Sequence, residues 1–345
     1  MKIKASALLL SLTTLVGCAS ITNKPQPGVA SLTHAYDYRL IDSQTHTIIQ
    51  LPELVRKLAQ ADVIFVGEFH GNHASHLLQA KLQTALFAQN PNQVLSMEQF
   101  ERDDQTPVER YLESQIGEKT FIDQADAWPN YAGSYRPLME FAKRHFLPVI
   151  AANAPGDIVR CVSRHGPDYL ARLPDNQRHW VATDAFYNPP AYQQKFIDFM
   201  QAQRHGKADK TPLNERQQRS YQAQLLRDNT MAESILNAKR AHPEAQILHL
   251  NGAFHSDQHL GTVAALKHRA PSLSIAVISP VRLEPERTTD WLAQATVDDF
   301  KQGDFLYLIP PQPAEYVQAH KRREAMRRQF EQADQKPCLP AQKAS

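Results

Sequence analysis

Acidic and imidazole side chains stand at the ends of four apolar runs that are spread along the sequence. The polar residues at these positions are Glu68, His70, Glu98, Asn153 and His255. A carboxylate can act as a general base on water, and an imidazole can act as an acid, a base or a metal ligand. Glu68 or Glu98 would be the base, and His70 and His255 would bind a metal or exchange protons. This set of residues suggests metal-assisted hydrolysis.

Two other interpretations of these side chains stay open at this point. Each residue taken alone is more typical of a hydrogen-bonded core group than of a ligand. Together they favour a site, since burying several ionisable groups costs free energy. The cluster could instead close the end of a sheet in a purely structural protein. The sequence contains neither a Gly-x-Ser-x-Gly elbow nor a His-Glu-x-x-His helix, which are the familiar serine and zinc hydrolase signatures.

The apolar runs have the pattern of strands that are buried on both faces. Six such runs begin at Val63, Val94, Pro148, Ile247, Ile275 and Phe305. They are continuous rather than alternating, which is typical of a mainly parallel sheet covered by helices. Helical patterns lie between them, such as Leu78, Leu82 and Leu86 at intervals of four residues. We therefore predict an α/β fold in which a mainly parallel sheet is flanked by helices.

The strand ends are the reason to expect that the polar side chains meet. In open α/β sheets, ligands bind in the crevice beyond the carboxyl ends of the strands. The acids and histidines follow the predicted strands directly, so they should converge at one edge of the sheet. We expect at least one of them to have a displaced pKa, because charges gathered in a crevice perturb one another.

Composition indicates the boundaries of the domain and of the segments around it. The α/β domain is predicted over residues 36–313, with an inserted helical subdomain at about 155–220 that is rich in Gln, Arg, His and Pro. Residues 314–345 are predicted to form a basic C-terminal helix and a tail, with basic clusters at 321–323 and 327–328. Such a charge run is more typical of a solvated helix face than of a membrane contact.

The N-terminus has the features of a lipoprotein signal. Two lysines precede a short apolar run over residues 5–16, and the run leads to Cys18. Cleavage of residues 1–17 would expose Cys18 for attachment of a lipid. Residues 18–35 would be the lipidated cysteine and a flexible tether that contains Pro and Gly. Ala19 resembles the residue that follows the cysteine in outer-membrane lipoproteins, so we expect a protein anchored in the bacterial envelope at that membrane.

The net charge and the cysteine content bear on nucleic-acid binding and on disulfide formation. The formal charge of +2 falls to zero once the signal and its two lysines are removed. A neutral chain lacks the basic surface that nucleic acid requires, so we expect no nucleic-acid partner. Cys161 and Cys338 could form a disulfide in an oxidising envelope, or they could remain separate thiols.

Short motifs lie around the strand ends, over about residues 62–261. They are Gly67-Glu68-Phe69-His70, Ser96-Met97-Glu98-Gln99, Tyr135-Arg136-Pro137, Ala152-Asn153-Ala154-Pro155, Arg227-Asp228-Asn229 and Asn251-Gly252-Ala253-Phe254-His255. In this order the motifs resemble those of the ChaN-like haem-binding lipoproteins. The last motif departs from the family, which has a second glycine at Ala253-Phe254. The Gly-Glu-x-His pattern is also similar to that of the wider erythromycin-esterase and TIKI-type superfamily, whose members include hydrolases.

The resemblance implies a haem-binding lipoprotein that serves iron uptake or storage. It implies a tyrosine as iron ligand, an assisting histidine, and haem held between the two subunits of a homodimer. Tyr135 is the first choice for the ligand and Tyr131 the second, because a phenolate is a hard oxygen donor suited to ferric iron. Arg136 could pair with a haem propionate, while His70 and His255 would assist. Tyrosines at a core boundary would be equally stable without a cofactor.

Overall fold

The computed structural model describes residues 32–202, 212–283 and 291–339 of the 345-residue chain. The predicted signal peptide, Cys18 and most of the predicted tether lie outside the described residues. Among the helices described, none is long and apolar enough to cross a membrane.

The described residues contain one eight-stranded sheet with the strand order β2-β1-β8-β7-β3-β6-β4-β5. The strands are β1 Arg39–Asp42, β2 Thr47–Ile49, β3 Val63–Glu68, β4 Gln93–Glu101, β5 Val149–Asn153, β6 Gln246–Gly252, β7 Ile275–Arg282 and β8 Phe305–Ile309. The strands from β8 to β5 in this order are parallel to one another. Strand β1 is antiparallel to both β2 and β8. The predicted fold class, a mainly parallel sheet flanked by helices, is confirmed.

Helices connect the strands and cover both faces of the sheet. They are α1 Leu51–Lys57, α2 His73–Gln89, α3 Gln105–Leu112, α4 Glu118–Gln124, α5 Tyr131–Ser134, α6 Arg136–Arg144, α7 Gly156–His165, α8 Asp175–Arg178, α9 Pro190–Ala202, α10 Glu215–Ala241, α11 Thr262–Arg269, α12 Trp291–Gln294, α13 Val297–Phe300 and α14 Ala319–Gln335. Short 3-10 turns follow β4 and β6, at Arg102–Asp104 and at Ala253–His255.

Each central strand buries consecutive side chains in two different cores. Ile64 and Val66 of β3 pack with Leu78 of α2 on one face of the sheet. Val63 and Phe65 pack in a separate cluster on the other face, with residues of α10 and α11. Successive side chains of a strand point to opposite faces, so burial on both sides demands an unbroken apolar run. This is why the six predicted strands were visible in the sequence.

Strands β1 and β2 were not predicted from the sequence. Each has only three or four residues and combines apolar with polar side chains, as in Arg39-Leu40-Ile41-Asp42. They form the antiparallel end of the sheet, where Leu40 and Ile41 of β1 are buried in two different clusters. Because β1 is antiparallel to β8, with Arg39 opposite Leu308, the segment before β1 lies at the carboxyl edge of the parallel strands.

Helices α7 to α10 lie between β5 and β6. The predicted insertion at about 155–220 covers α7, α8, α9 and the first turns of α10. Helix α10 packs against α7 through Leu226 and Val162, and further along it packs on the sheet through Ile235. The long helix therefore joins this region to the sheet, and it carries Asp228 at its centre.

The structure joins Cys161 of α7 to Cys338 in a disulfide, with a Cα–Cα distance of 5.7 Å and a separation of 177 residues in sequence. Sequence alone had left the pairing open, because only the fold brings two such distant residues together. The bond fastens the segment after α14 to the domain. Basic residues of α14 are exposed and form ion pairs within the helix, such as Lys321 with Glu324 at 3.4 Å.

Candidate functional site

The neighbouring strands β3 and β6 send their outgoing connections to opposite faces of the sheet. After β3, Leu78 of α2 packs on the face that contains Ile64. After β6, Val263 of α11 packs on the face that contains Phe65. Diverging connections at adjacent parallel strands leave a crevice at their carboxyl ends, where α/β proteins bind ligands. The polar residues predicted from the sequence lie around this crevice.

Glu68, the last residue of β3, is buried and accepts three hydrogen bonds from side chains. The Tyr135 hydroxyl donates to Oε1 at 2.6 Å, and Nδ1 of His70 lies 2.8 Å from the same oxygen. Nε2 of Gln79 donates to Oε2 at 2.7 Å. Buried carboxylates require such partners, because an unpaired one would lose its hydration without replacement. Glu68 is thus fixed in position by its three donors.

Sequence reasoning missed Gln79, although a signal was present. This residue is fully buried on α2, beside the apolar stripe that faces the core. A glutamine in such a position needs a polar partner. Here its amide nitrogen donates to Glu68, and its amide oxygen lies 3.1 Å from Nδ1 of the buried His76.

Tyr135 is held in its phenol form. Burial raises its pKa well above the ordinary value, and the nearby Glu68 carboxylate raises it further. Both effects oppose formation of a second negative charge in the same place. The ring is only 1% exposed. In this arrangement the hydroxyl donates its hydrogen bond to Glu68 and does not point to solvent.

On the other side of β6, His255 lies between two carboxylates. Nδ1 of His255 lies 2.7 Å from Oδ1 of Asp228, and Nε2 lies 3.3 Å from Oε1 of Glu98. Burial alone would lower the pKa of His255, but the two carboxylates outweigh it and raise the pKa to about 10. The imidazole is therefore a buried cation between two acids at neutral pH.

The two acids are themselves firmly held. Asp228 accepts hydrogen bonds from the hydroxyls of Tyr192 at 2.6 Å and Thr262 at 2.8 Å. Glu98 accepts the backbone N–H of Gly252 at 2.5 Å. Burial would raise the pKa of Glu98, yet the His255 cation lowers it far below the ordinary value. Sequence reasoning did not assign Asp228 to the site, although it lies within one of the motifs that carried the resemblance.

The two groups meet at Gly252, where β6 ends. A Cβ atom added to this glycine would lie 2.9 Å from Nε2 of His70 and 3.6 Å from Oε2 of Glu98. A side chain at this position would push the His70 ring away, so the close approach requires glycine. Burial alone would lower the pKa of His70, but the hydrogen bond to Glu68 and the charge of Glu98 raise it. The structure thus brings Glu68, His70, Glu98 and His255 into one cluster.

Other residues selected from the sequence lie around the cluster or away from it. Asn153 stabilises the position of Glu98, because its side-chain amide donates to the backbone oxygen of Glu98 at 3.1 Å. Tyr131 is buried against Phe121 and faces the core. The Arg136 guanidinium is paired with Glu118, with one N–H donating at 3.0 Å.

His70 and Trp128 form the solvent-facing side of the cluster. The His70 side chain is 46% exposed, in contrast to the buried Glu68 beneath it. The half-buried Trp128 ring meets it edge to face, at a centroid distance of 4.9 Å. The Trp128 ring also contacts Tyr135 at 6.0 Å. Within the described ranges, no three His, Cys, Asp or Glu side chains have the geometry of a metal site.

Comparison with known proteins agrees with this architecture. A solved structure described as cofacial haem binding to ChaN of Campylobacter jejuni has 16% identity and a TM-score of 0.57, covering 80% of this chain and 98% of that chain. At this identity the likeness shows the fold. A mutant of the erythromycin esterase EreC in its open conformation has 12% identity and a TM-score of 0.46, covering 81% and 99% of the two chains. No curated protein matches the sequence.

The family comparison is more specific than the structural one. The family described as haem-binding uptake, Tiki superfamily, ChaN matches residues 54–266. The match includes β3 to β6 and every side chain of the cluster described above. It confirms the resemblance seen in the motifs. Because the matched segment is more than half of the 345 residues, this protein belongs to the ChaN family of haem-binding uptake proteins in the Tiki superfamily.

Proposed function

We propose that this protein binds haem at the carboxyl edge of its sheet and serves iron uptake. The observation that carries the proposal is the half-exposed His70 and Trp128 pair, which stands over a buried polar cluster in a chain of a haem-binding family. Flat aromatic side chains at a crevice mouth provide the apolar contact that a porphyrin needs. Bound haem would supply the iron that the cell takes up.

The donor groups in the cluster fit haem unequally. The ring of His70 lies against Gly252 with Nε2 turned inward and Nδ1 held by Glu68, so it suits contact with the macrocycle better than bonding to iron. Tyr135 would have to leave Glu68 and lose its proton before it could bind iron as a phenolate. Both requirements disfavour Tyr135 as an iron ligand. Its role as the ligand stays a prediction from the sequence.

We propose further that haem is held between two copies of the chain. The contact residues His70 and Trp128 lie at the surface, so one subunit covers one face of a porphyrin. The other face would remain in water, and a second subunit is a natural cover for it. The ChaN structure from Campylobacter jejuni is described as binding haem cofacially, which is consistent with this arrangement.

Titration with hemin tests the haem proposal. The mature protein with Cys18→Ser should give a saturable shift of the Soret band. Sedimentation of the same samples should show dimers that form with hemin. The Trp128→Ala variant should bind hemin more weakly, because the substitution removes apolar contact at the mouth of the crevice. Absorbance that rises without saturation would contradict a specific site and would favour the hydrolase alternative based on Glu68, His70, Glu98 and His255.

We also propose that a lipid on Cys18 anchors the protein in the envelope, at the outer membrane. The support comes from the sequence, where a short apolar run over residues 5–16 leads to the cysteine. Replacing Cys18 with Ser should release the folded protein from membranes, because acyl chains would supply the attachment. Fractionation of cells at high salt measures how much of the protein stays with the membranes. Retention of the Cys18→Ser protein in the membrane pellet would contradict the proposal.

A further inference from the structure

The segment that follows β8 is exposed over most of its length. Between residues 313 and 328, which include the first turns of α14, every residue is exposed except the half-buried Ala325. Three of the exposed side chains are large and apolar, namely Tyr316 at 43%, Val317 at 86% and Met326 at 42%. Helices in proteins gain most of their stability by packing an apolar face on a neighbour. These turns of α14 bury no such face on the part of the chain that the structure describes.

The same stretch is strongly basic. It contains five lysines and arginines and two glutamates, which give a formal charge of +3. Glu324 is already paired with Lys321, at 3.4 Å. The side chains of Arg322 and Arg323 have no acid partner among the described residues. Met326 lies one helical turn beyond both arginines, on the same side of α14. Basic and apolar side chains together on an exposed helix are typical of contact with a membrane surface.

Both ends of this segment are fixed to the domain. It begins where β8 ends, and beyond α14 the disulfide joins Cys338 to Cys161 of α7. The guanidinium of Arg164, also on α7, donates to the backbone oxygen of Lys336 at 2.8 Å. The basic helix is therefore exposed but held in place. A surface can bind it at a low entropic cost, because the helix is already ordered.

The segment also begins beside the point where the chain enters the domain. Strand β1 is antiparallel to β8, with Arg39 opposite Leu308, so the residues before β1 and those after β8 lie at the same edge. Leu32 packs there in one cluster with Leu283 and Leu308. A lipid on Cys18 would hold Leu32 within about 45–50 Å of the membrane, because the residues between them reach no further when fully extended.

We propose that α14, through Arg322, Arg323 and Met326, docks on the anionic phospholipid headgroups of the membrane that holds the lipid anchor. The inference rests on the proposed attachment through Cys18 and deepens it by naming the face of the domain that lies on the membrane. Guanidinium groups bind phosphate oxygens through paired hydrogen bonds. The anchor raises the effective concentration of headgroups around the helix, so a weak contact is sufficient.

Binding of the mature Cys18→Ser protein to phospholipid vesicles tests the proposal. This parent lacks the lipid, so any binding reports the protein surface alone. It should sediment with vesicles of phosphatidylcholine mixed with phosphatidylglycerol, and it should stay in solution with phosphatidylcholine alone. Raising the salt concentration from about 0.05 M to about 0.5 M should release it, because salt screens exposed charges.

Two double variants then locate the contact. Arg322→Gln with Arg323→Gln should lower the affinity for the anionic vesicles about tenfold or more. Arg144→Gln with Arg240→Gln is the matched control, and it removes the same charge from two exposed arginines. These lie at the opposite edge of the sheet, since α6 and α10 lead into the amino ends of β5 and β6. The control should bind like the parent. Glutamine favours helices about as well as arginine, so thermal unfolding should be unchanged in both variants.

Several outcomes would overturn the inference. Equal losses of affinity in the two double variants would do so, because any exposed arginine would then contribute. Equal binding of the parent to neutral and anionic vesicles would also do so, as would no binding to either. The lipid anchor is tested separately, since release of the Cys18→Ser protein from cell membranes at high salt would still support the anchor if vesicle binding failed.

Discussion

Replacing His255 with alanine is expected to lower the free energy of unfolding by about 3–5 kcal/mol, because two carboxylates would stay buried without their counter-charge. In the folded protein the ring lies 2.7 Å from Asp228 and 3.3 Å from Glu98. Asp228 would keep the hydroxyl of Tyr192, but a hydroxyl supplies no positive charge. Urea denaturation at pH 7, followed by circular dichroism, measures the change.

His259 provides the matched control. It also pairs with an acid, since its Nε2 lies 3.0 Å from Asp304, but the two side chains are 44% and 43% exposed. Water and salt screen such a pair, so His259→Ala should cost less than about 1 kcal/mol. Equal losses in the His255→Ala and His259→Ala proteins would contradict the buried cation between Glu98 and Asp228.

The stabilising effect of His255 is expected to disappear as the pH rises toward 10. Its pKa is about 10 in the folded protein, against an ordinary value of 6.5. A raised pKa stabilises the folded state fully below pH 6.5, where both states carry the proton. Between 6.5 and 10 the unfolded chain has lost that proton, so stability should fall by about 1.4 kcal/mol per pH unit. Denaturation curves between pH 7 and 10.5 measure this slope.

A comparison with His255→Gln isolates the contribution of this one histidine. Other groups that titrate in alkali, such as surface lysines, are common to both proteins and cancel in the difference. The difference in unfolding free energy should therefore be large near pH 7 and should shrink as the pH rises through about 10. Curves that stay parallel over this range would show that His255 is not protonated in the folded protein at neutral pH.

The sequence by itself determined the sheet and the edge at which its polar residues meet. Continuous apolar runs predicted the six parallel strands, because a strand buried on both faces cannot alternate. Glu68, Glu98 and His255 follow such runs directly, and parallel strands place their carboxyl ends at one edge. Local pattern was sufficient here, since the position of each side chain follows from its place along a strand.

Only the tertiary structure decided which partner each polar side chain has. Tyr135 and Glu68 are 67 residues apart, and their hydrogen bond fixes the phenol in its neutral form. His255 owes its raised pKa to the charges of Glu98 and Asp228, which lie on β4 and on α10. Burial and charge pairing depend on contacts between distant residues, so the spacing of residue types along the chain could not reveal them.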